Sequence, residues 1–211
     1  FNMALSGRTK LGGGYNETWE VYRGAGFRGN SGGVSFETQW LRWLGVNTQY
    51  LRNKTVNYHP AAPLEAFRAV SHTSQAGFVL RPAVALRLSQ TYLHSRLVRP
   101  TDGAAIFNNH VLRTKVNYQF TRPLSLRAIL DYDAVLPNPA LVALERTKRF
   151  TADVLLTYLV NPGTAVYAGY TDRYDNLELL PGLPAALRRV RTPRLSTGRQ
   201  FFVKLSYLLR Y

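Results

Sequence analysis

Two carboxylates, Asp131 and Asp133, stand two residues apart in a segment that alternates between apolar and polar side chains. In a β-strand such a pair lies on one face, so the two groups could share the work of a general acid and a general base. Arg127 and Arg149 stand close to them in the pattern of alternating segments, and charges that leave water are normally paired. We therefore expect salt bridges here, and the sequence predicts no catalytic residue.

The other residue types that could hold a metal or a cofactor are few. The chain has four histidines, His59, His72, His94 and His110. Their spacing matches no metal-ligand pattern, and the absence of cysteine excludes disulfides and thiolate metal sites. The glycines at 12–14 do not connect an apolar strand to a helix, so a phosphate-binding loop is not expected. The sequence predicts neither a metal nor a cofactor.

Most other charges fall on the polar positions of alternating segments, one or two in each predicted strand. In a membrane β-barrel these positions face the lumen, and a basic excess would make a channel wall that favours anionic solutes. Alternatively, the charges pair with one another in a narrow or plugged interior, which we favour because buried charges must be paired. The predicted lumen-lining residues are Glu37, Arg87, Arg113, Lys115, Arg127, Asp131, Asp133, Arg149, Asp153 and Lys204.

The element that orders these positions most clearly is the last one, residues 196–211, which reads STGRQFFVKLSYLLRY. Its apolar positions recur at every second residue, which predicts one strand over 197–211 with an apolar and a polar face. The strand exceeds the ~5–6 residues usual in soluble proteins and suffices for the ~9–11 of an oblique bilayer crossing. Its aromatic ending resembles the signal by which the barrel-assembly machinery recognises outer-membrane barrels. We assign that signal to Phe201, Tyr207, Leu209 and Tyr211.

Alternating segments recur along the whole chain, separated by connections that are by turns short and long. Short turns are expected at 44–45, 81–82, 121–123 and 161–163. This asymmetry is typical of outer-membrane barrels, and it predicts an all-β, antiparallel transmembrane β-barrel of about 10–12 strands in a single domain, residues 1–211. The apolar face is expected to be free of charge and to contact membrane lipid and lipopolysaccharide. The predicted lipid-facing residues are Val116, Tyr118, Leu126, Leu130, Val154, Leu156, Val203, Leu205 and Tyr207.

The first third of the chain is less regular. Alternation begins at Phe1 itself, so we expect the sequence to be the C-terminal part of a longer protein, with N-terminal strands or a further domain supplied elsewhere. The glycine-rich stretches 12–14 and 24–33 could form loops, bends or bulges.

Two stretches, residues 109–176 and 196–211, resemble a known family. The most specific marks are NYQFTR at 117–122 and YLVNPGT at 158–164. They resemble the C-terminal barrel region of large Gram-negative outer-membrane proteins that carry a carbohydrate-binding-module-family-nine-like domain at their N-terminus. The resemblance implies a bacterial outer-membrane barrel of unassigned function, and it assigns no sugar-binding residue to this chain.

These features favour an outer-membrane β-barrel that serves as a pore or as the membrane anchor of a larger cell-surface or periplasmic assembly. A barrel enzyme acting at the rim is an alternative, which a rim histidine with a carboxylate or hydroxyl partner would favour. A soluble basic β protein that binds polyanions is a third interpretation, since the net charge is +15. No nucleic-acid partner is predicted, because no basic run is interleaved with exposed aromatics.

Overall fold

The protein is built from β-strands joined by turns and loops. A computed structural model describes residues 1–6, 8–22, 24–182 and 184–208. Within these ranges no helix has the length and hydropathy of a membrane span. The strands are β1 (Asn2–Leu5), β2 (Thr9–Tyr22), β3 (Ala25–Leu41), β4 (Leu44–Asn57), β5 (Phe67–Ala83), β6 (Leu86–Val98), β7 (Ala105–Gln119), β8 (Leu124–Pro137), β9 (Thr147–Asn161), β10 (Thr164–Asp175), β11 (Leu177–Leu180), β12 (Ala186–Arg189) and β13 (Leu195–Tyr207).

Eleven of these strands form one sheet in the order β1-β2-β3-β4-β5-β6-β7-β8-β9-β10-β13. The strands β11 and β12 form a separate antiparallel hairpin. Apart from β10 and β13, which this hairpin separates in the chain, every strand of the large sheet lies beside its sequence neighbours, so adjacent strands need only turns or loops between them. The all-β class and the large antiparallel sheet predicted from the sequence are confirmed.

From the β3–β4 turn onward, short turns and longer connections alternate as the sequence indicates, but two turns are displaced; the connections between β1, β2 and β3 are both short. The turns expected at 44–45 and 81–82 lie at 42–43 and 84–85. Pro82 is therefore inside β5, near its end, where a strand tolerates a residue without an N–H donor. The final strand begins two residues earlier than expected, at Leu195, and residues 209–211 lie outside the described part of the chain.

The glycine-rich stretches are mostly strand rather than loop. Residues 12–14 belong to β2, and all the glycines from 26 to 33 belong to β3. Gly24 alone among them has a positive φ, of 80°, in the β2–β3 turn. At Gly29 a Cβ would lie 2.7 Å from the Thr18 hydroxyl and 2.8 Å from the Lys54 carbonyl oxygen, so glycine is needed for close approach within the sheet.

The first of two compact units comprises Phe1–Phe78, Thr91–Val111 and Ala134–Thr147. Its buried cluster brings the β8–β9 connection, through Leu141 and Val142, onto strand residues. The Leu141 carbonyl accepts the Asn57 side-chain amide at 3.0 Å, which fixes the connection in place. The other members of the cluster are Ala69, Leu97 and Ile106.

The second unit comprises Val79–Gln90, Leu112–Asp133 and Lys148–Tyr211. In it β10 pairs with β9 on one side and with β13 on the other. The short turns 84–85, 120–123 and 162–163 in this unit join β5 to β6, β7 to β8 and β9 to β10. The register of β10 and β13 shifts between Arg173 and Tyr174, which is a β-bulge near the opposite end of these strands.

Candidate functional site

In the second unit, strand pairing fixes which side chains share a face. Val154 of β9 lies opposite Tyr170 of β10, which lies opposite Phe201 of β13. Directly opposed residues of an antiparallel pair project to the same side. The following rows on that side are Leu156, Ala168 and Val203, then Tyr158, Val166 and Leu205. We call this side the apolar face and the opposite side the polar face.

The nine predicted lipid-facing residues all alternate onto the apolar face. Most of their side chains are exposed, and in β13 the exposed fraction reaches 64% at Val203 and 67% at Leu205. The predicted insertion residues Phe201 and Tyr207 share this face, whereas Leu209 and Tyr211 lie outside the described residues. The side chains are thus disposed as a lipid-contacting face requires, and lipid contact itself stays a prediction.

The expectation that the apolar face carries no charge is wrong. Asp172 is in the row beyond Tyr170, opposite Arg199, and is only 3% exposed. Its Oδ2 accepts from Arg199 Nε at 2.9 Å and from the Tyr170 and Tyr174 hydroxyls at 2.8 and 3.1 Å. Ser196 donates to Oδ1 at 2.7 Å. A buried carboxylate is tolerated here because a cation and three hydroxyls satisfy it.

The polar face has two zones, and the first is a network of ion pairs toward the longer connections. Arg113 donates to both carboxylate oxygens of Asp131, at 2.6 and 2.9 Å. Arg149 donates to Asp175 at 3.0 Å, and Arg173 lies 3.7 Å from the same carboxylate. We call this the paired zone. It comprises Arg113, Asp131, Arg149, Asp153, Thr171, Arg173, Asp175 and Thr197.

The pairing differs from the prediction for Asp131 and Asp133. Asp131 bonds to Arg113 on β7 rather than to Arg127 or Arg149, because β7 places Arg113 directly beside it. Asp133 has no ion pair within the described residues. Asp153 accepts the Thr171 hydroxyl at 2.5 Å. Asp131 is therefore bound by Arg113, as the expectation of salt bridges over an acid–base pair requires, although the partner is a different arginine.

The second zone lies toward the short turns, and its charged residues in the described part of the chain are all cations. Arg87, Lys115, Arg127 and Lys204 belong to the polar face, and none of them has a carboxylate within 4 Å in the described part of the chain. Arg87, Arg127 and Lys204 are exposed, and Lys115 is half-buried. We call these four residues the basic zone. The mutual pairing that we favoured from the sequence therefore holds for the paired zone and not for the basic zone.

In the first unit, one predicted lumen residue forms an exposed pair. Glu37 lies opposite Lys10, and its Oε2 is 3.6 Å from the ammonium group. On the other side of β2 and β3, Arg28 donates to Glu17 at 2.7 Å and Tyr15 donates to the same carboxylate at 2.9 Å. This cluster combines an acid, an arginine and a tyrosine, as the Asp172 cluster does in the second unit.

Two histidines of the first unit have hydroxyl partners, the feature that would favour a rim enzyme. Tyr50 Oη is 2.7 Å from His72 Nδ1, and Tyr92 Oη is 2.8 Å from His110 Nδ1. His94 stacks on His110, with ring centroids 4.6 Å apart. No carboxylate orients either imidazole, and no group of three or more potential metal ligands occurs in the described ranges. The arrangement lacks the third member of a nucleophile–base–acid constellation.

Ion pairs also hold two of the connections outside the large sheet's strands. In the β11–β12 hairpin, the Arg188 guanidinium donates to Glu178 at 2.7 Å and lowers the pKa of that carboxyl. In the β6–β7 connection, the Arg99 guanidinium and the Ala104 N–H lower the pKa of Asp102 to about 2. Both carboxylates are therefore charged at neutral pH and hold the local turn.

We did not predict four members of the charged clusters from the sequence: Asp172, Arg173, Asp175 and Arg199. Alternation from Thr171 through Arg173 continues to Asp175 on the polar face. That continued alternation was the available signal. No known family model matches this chain, and no curated protein matches it. The site is therefore interpreted from its own geometry.

Proposed function

We propose that this chain is an outer-membrane β-barrel whose apolar face contacts lipid and whose polar face lines the interior. The observation that carries the proposal is the exposed apolar strip of β9, β10 and β13. Large apolar side chains left uncovered in this way mark a membrane or a protein contact. Its rows contain no charge until Asp172 and Arg199.

The length of the strip supports the membrane over a protein partner. From Thr164 beside the short turn to Asp172, β10 has about the ~9–11 residues that an oblique strand needs to cross a bilayer. The tyrosines of the Asp172 cluster stand at one end of the strip, and Tyr158 and Tyr207 stand at the other. Aromatic residues at both ends of an apolar band are typical of outer-membrane barrels.

The proposed barrel would meet several partners. Lipid acyl chains would cover the strip, and lipopolysaccharide head groups would lie at the level of Arg199. Because a backbone in lipid must be fully hydrogen-bonded, each of the edge strands β1 and β13 would need a pairing partner. The barrel-assembly machinery would recognise the end of β13.

The cations of the basic zone support pore activity, because they would favour the passage of anions. Anchoring a further domain in the membrane is the alternative role.

The membrane proposal is tested by placing a charge on each face of β13. We expect Val203→Arg to destabilise the inserted protein by about 2–4 kcal/mol, because Val203 lies opposite Ala168 in the middle of the strip and an arginine there would enter the acyl region. Ser206→Arg is the matched control, since Ser206 lies on the polar face of the same strand. Detergent-phase partition and the gel mobility shift on heating report insertion. Equal behaviour of the two variants, or a wild-type protein that stays in the aqueous phase, would contradict the proposal.

Pore and anchor are separated by conductance. A purified barrel in a planar bilayer should pass stepwise ion currents if it is a pore. A correctly inserted, heat-modifiable protein without such currents would leave the anchor as its role.

A further inference from the structure

A cavity of about 360 Å³ opens in the second unit beside the basic zone. Two arginines line it, Arg87 from β6 and Arg127 from β8, and its lining contains no acidic residue. Both guanidinium groups lack a carboxylate partner in the described part of the chain. The cavity therefore has a charge of about +2 that no carboxylate of the described residues neutralises, and the exposed guanidinium groups are available to an anion from solution.

Strand register brings the two arginines to either side of one asparagine. The Gln119 N–H donates to the Ala85 carbonyl at 2.8 Å, and the Phe120 N–H donates to the Leu124 carbonyl at 3.0 Å. These bonds pair residue 119 of β7 with residue 85, just before β6, and residue 120, just after β7, with residue 124 of β8. In the same antiparallel register, Asn117 lies opposite Arg87 on one side and opposite Arg127 on the other. Three side chains with N–H donors thus occupy neighbouring positions on one face.

Other polar side chains line the cavity around Arg87, Asn117 and Arg127. Ser125 and Thr157 line the same cavity and can donate or accept hydrogen bonds. Gln119 also lines it, but its side-chain nitrogen donates to carbonyl oxygens of the following turn, at 2.6 Å for Thr121. Gln119 therefore holds the β7–β8 turn, and the donors available to a ligand come from the arginines and Asn117.

We propose that this cavity binds a phosphate group, free or carried by a small polar molecule. Arginine presents a planar fork of N–H donors that matches phosphate oxygens, and two such forks match the charge of about −1.5 to −2 on a phosphate monoester at neutral pH. A monocarboxylate would neutralise one arginine and leave the other uncompensated. The volume exceeds that of a phosphate alone, and Ser125 and Thr157 suit the hydroxyl groups of a carrier.

The test is calorimetric titration of the full chain, refolded in detergent, at fixed ionic strength. Probes are glycerol 3-phosphate, inorganic phosphate, acetate and glycerol. We expect saturable binding of both phosphate probes, weaker binding of acetate and none of glycerol. Tighter binding of the ester supports a carried phosphate, and tighter binding of the inorganic ion supports free phosphate. Absence of saturable phosphate binding, or acetate binding as tightly as phosphate, overturns the proposal.

Variants locate the site. Each of Arg87→Gln and Arg127→Gln should raise the Kd at least about tenfold, because each removes charge-assisted hydrogen bonds. Arg113→Gln is the matched control, an arginine of the same face that is already paired with Asp131, and it should leave the Kd unchanged. The two substitutions are made separately, because replacing both arginines in one protein could prevent folding and leave binding unmeasured. An equal loss in Arg113→Gln would show non-specific charge attraction and overturn the proposal.

The inference rests on the proposed function only for the route by which a ligand reaches the cavity. A protein that is heat-modifiable and partitions into detergent but binds no phosphate overturns this inference alone. A protein that binds phosphate but stays in the aqueous phase overturns the membrane proposal alone.

Discussion

The paired zone and the basic zone lie on the same face of the second unit and are made from the same residue types, yet their electrostatics differ. Toward the longer connections, each of Arg113 and Arg149 has a carboxylate within 3.0 Å. Toward the short turns, Arg87 and Arg127 have none in the described residues. The paired zone is internally neutralised and suited to holding strands together. The basic zone leaves its charge available to a ligand or a passing ion.

The comparison also explains why an overall basic composition is a poor guide to function. The net charge of +15 includes arginines, such as Arg113 and Arg149, that already form ion pairs with carboxylates of the protein. What matters for recognition is the subset without an internal partner, since a paired guanidinium offers fewer donors and little net field to a second anion. Substitutions in and between the two zones test this difference.

The largest effect is expected for Asp175→Asn in the paired zone. The Asp175 side chain is 15% exposed, and it accepts from Arg149 at 3.0 Å and from Thr197 at 2.5 Å. Removing its charge leaves two arginines uncompensated, so we expect a loss of about 2–3 kcal/mol in the free energy of unfolding. Urea unfolding followed by gel mobility measures it. Asp133→Asn, which removes a carboxylate without an ion pair, should change stability by less than about 0.5 kcal/mol.

A steric change at the boundary between the zones should cost less. Phe202 is on the polar face between Gln200 and Lys204, and its ring lies over Gly169, where a Cβ would come within 2.2 Å of the ring. We expect Gly169→Ala to lower stability by about 1–2 kcal/mol, because the ring must move. Gly198→Ala is the control, since its Cβ would meet side-chain atoms at ordinary contact distances of 3.7 Å or more. Replacing Phe202 by leucine should remove most of the penalty, and persistence of the full penalty would contradict the packing argument.

A smaller effect should follow when the paired zone is made to resemble the basic zone. Asp131→Asn leaves Arg113 unpaired. If the barrel conducts, one unit of charge about 10 Å from a permeating ion in water is worth ~0.4 kcal/mol, a shift of about twofold toward anions. The reversal potential in a salt gradient measures this selectivity. A shift toward cations would contradict the assignment of Arg113 and Asp131 to the conducting face.

The smallest effect concerns an ion pair in open solvent, outside both zones. The folded pKa of Asp102 is about 2, below the value of about 3.9 in an unfolded chain, so its carboxylate stabilises the β6–β7 connection above about pH 4 and loses this effect as the pH falls toward 2. We expect the Ala104 amide, which donates to Asp102, to exchange with solvent faster in Asp102→Asn at pH 6. The two proteins should exchange alike near pH 2. Exchange rates that are equal at both pH values would contradict the pairing.

Much of this architecture could be predicted because it depends on a period of two. Alternation assigns Val154 and Leu156 to one face and Asp153 to the other whatever their neighbours are, since successive side chains of a strand point to opposite sides. The short turn near Asn161 follows from local composition in the same way. The polar-face residues could therefore be named before any strand was paired.

The partners of those residues could not be named, because pairing depends on which strands are adjacent and on their register. The Arg113–Asp131 pair requires β7 and β8 to align across their turn. The displaced turns at 42–43 and 84–85 show that sequence alone misplaces such positions by two or three residues. The bulge between Arg173 and Tyr174 further changes which β13 residues meet Asp172 and Asp175.

The all-β class, the approximate number of strands and the two faces follow from the amino-acid sequence, because they depend on local alternation and turn composition. Three outcomes depend on tertiary structure: which charges neutralise each other, which arginines of the described residues lack a carboxylate partner, and the burial of Asp172 on the apolar face. Those outcomes are set by register between strands that are distant in sequence, where a shift of one residue moves every side chain to the other side of the sheet.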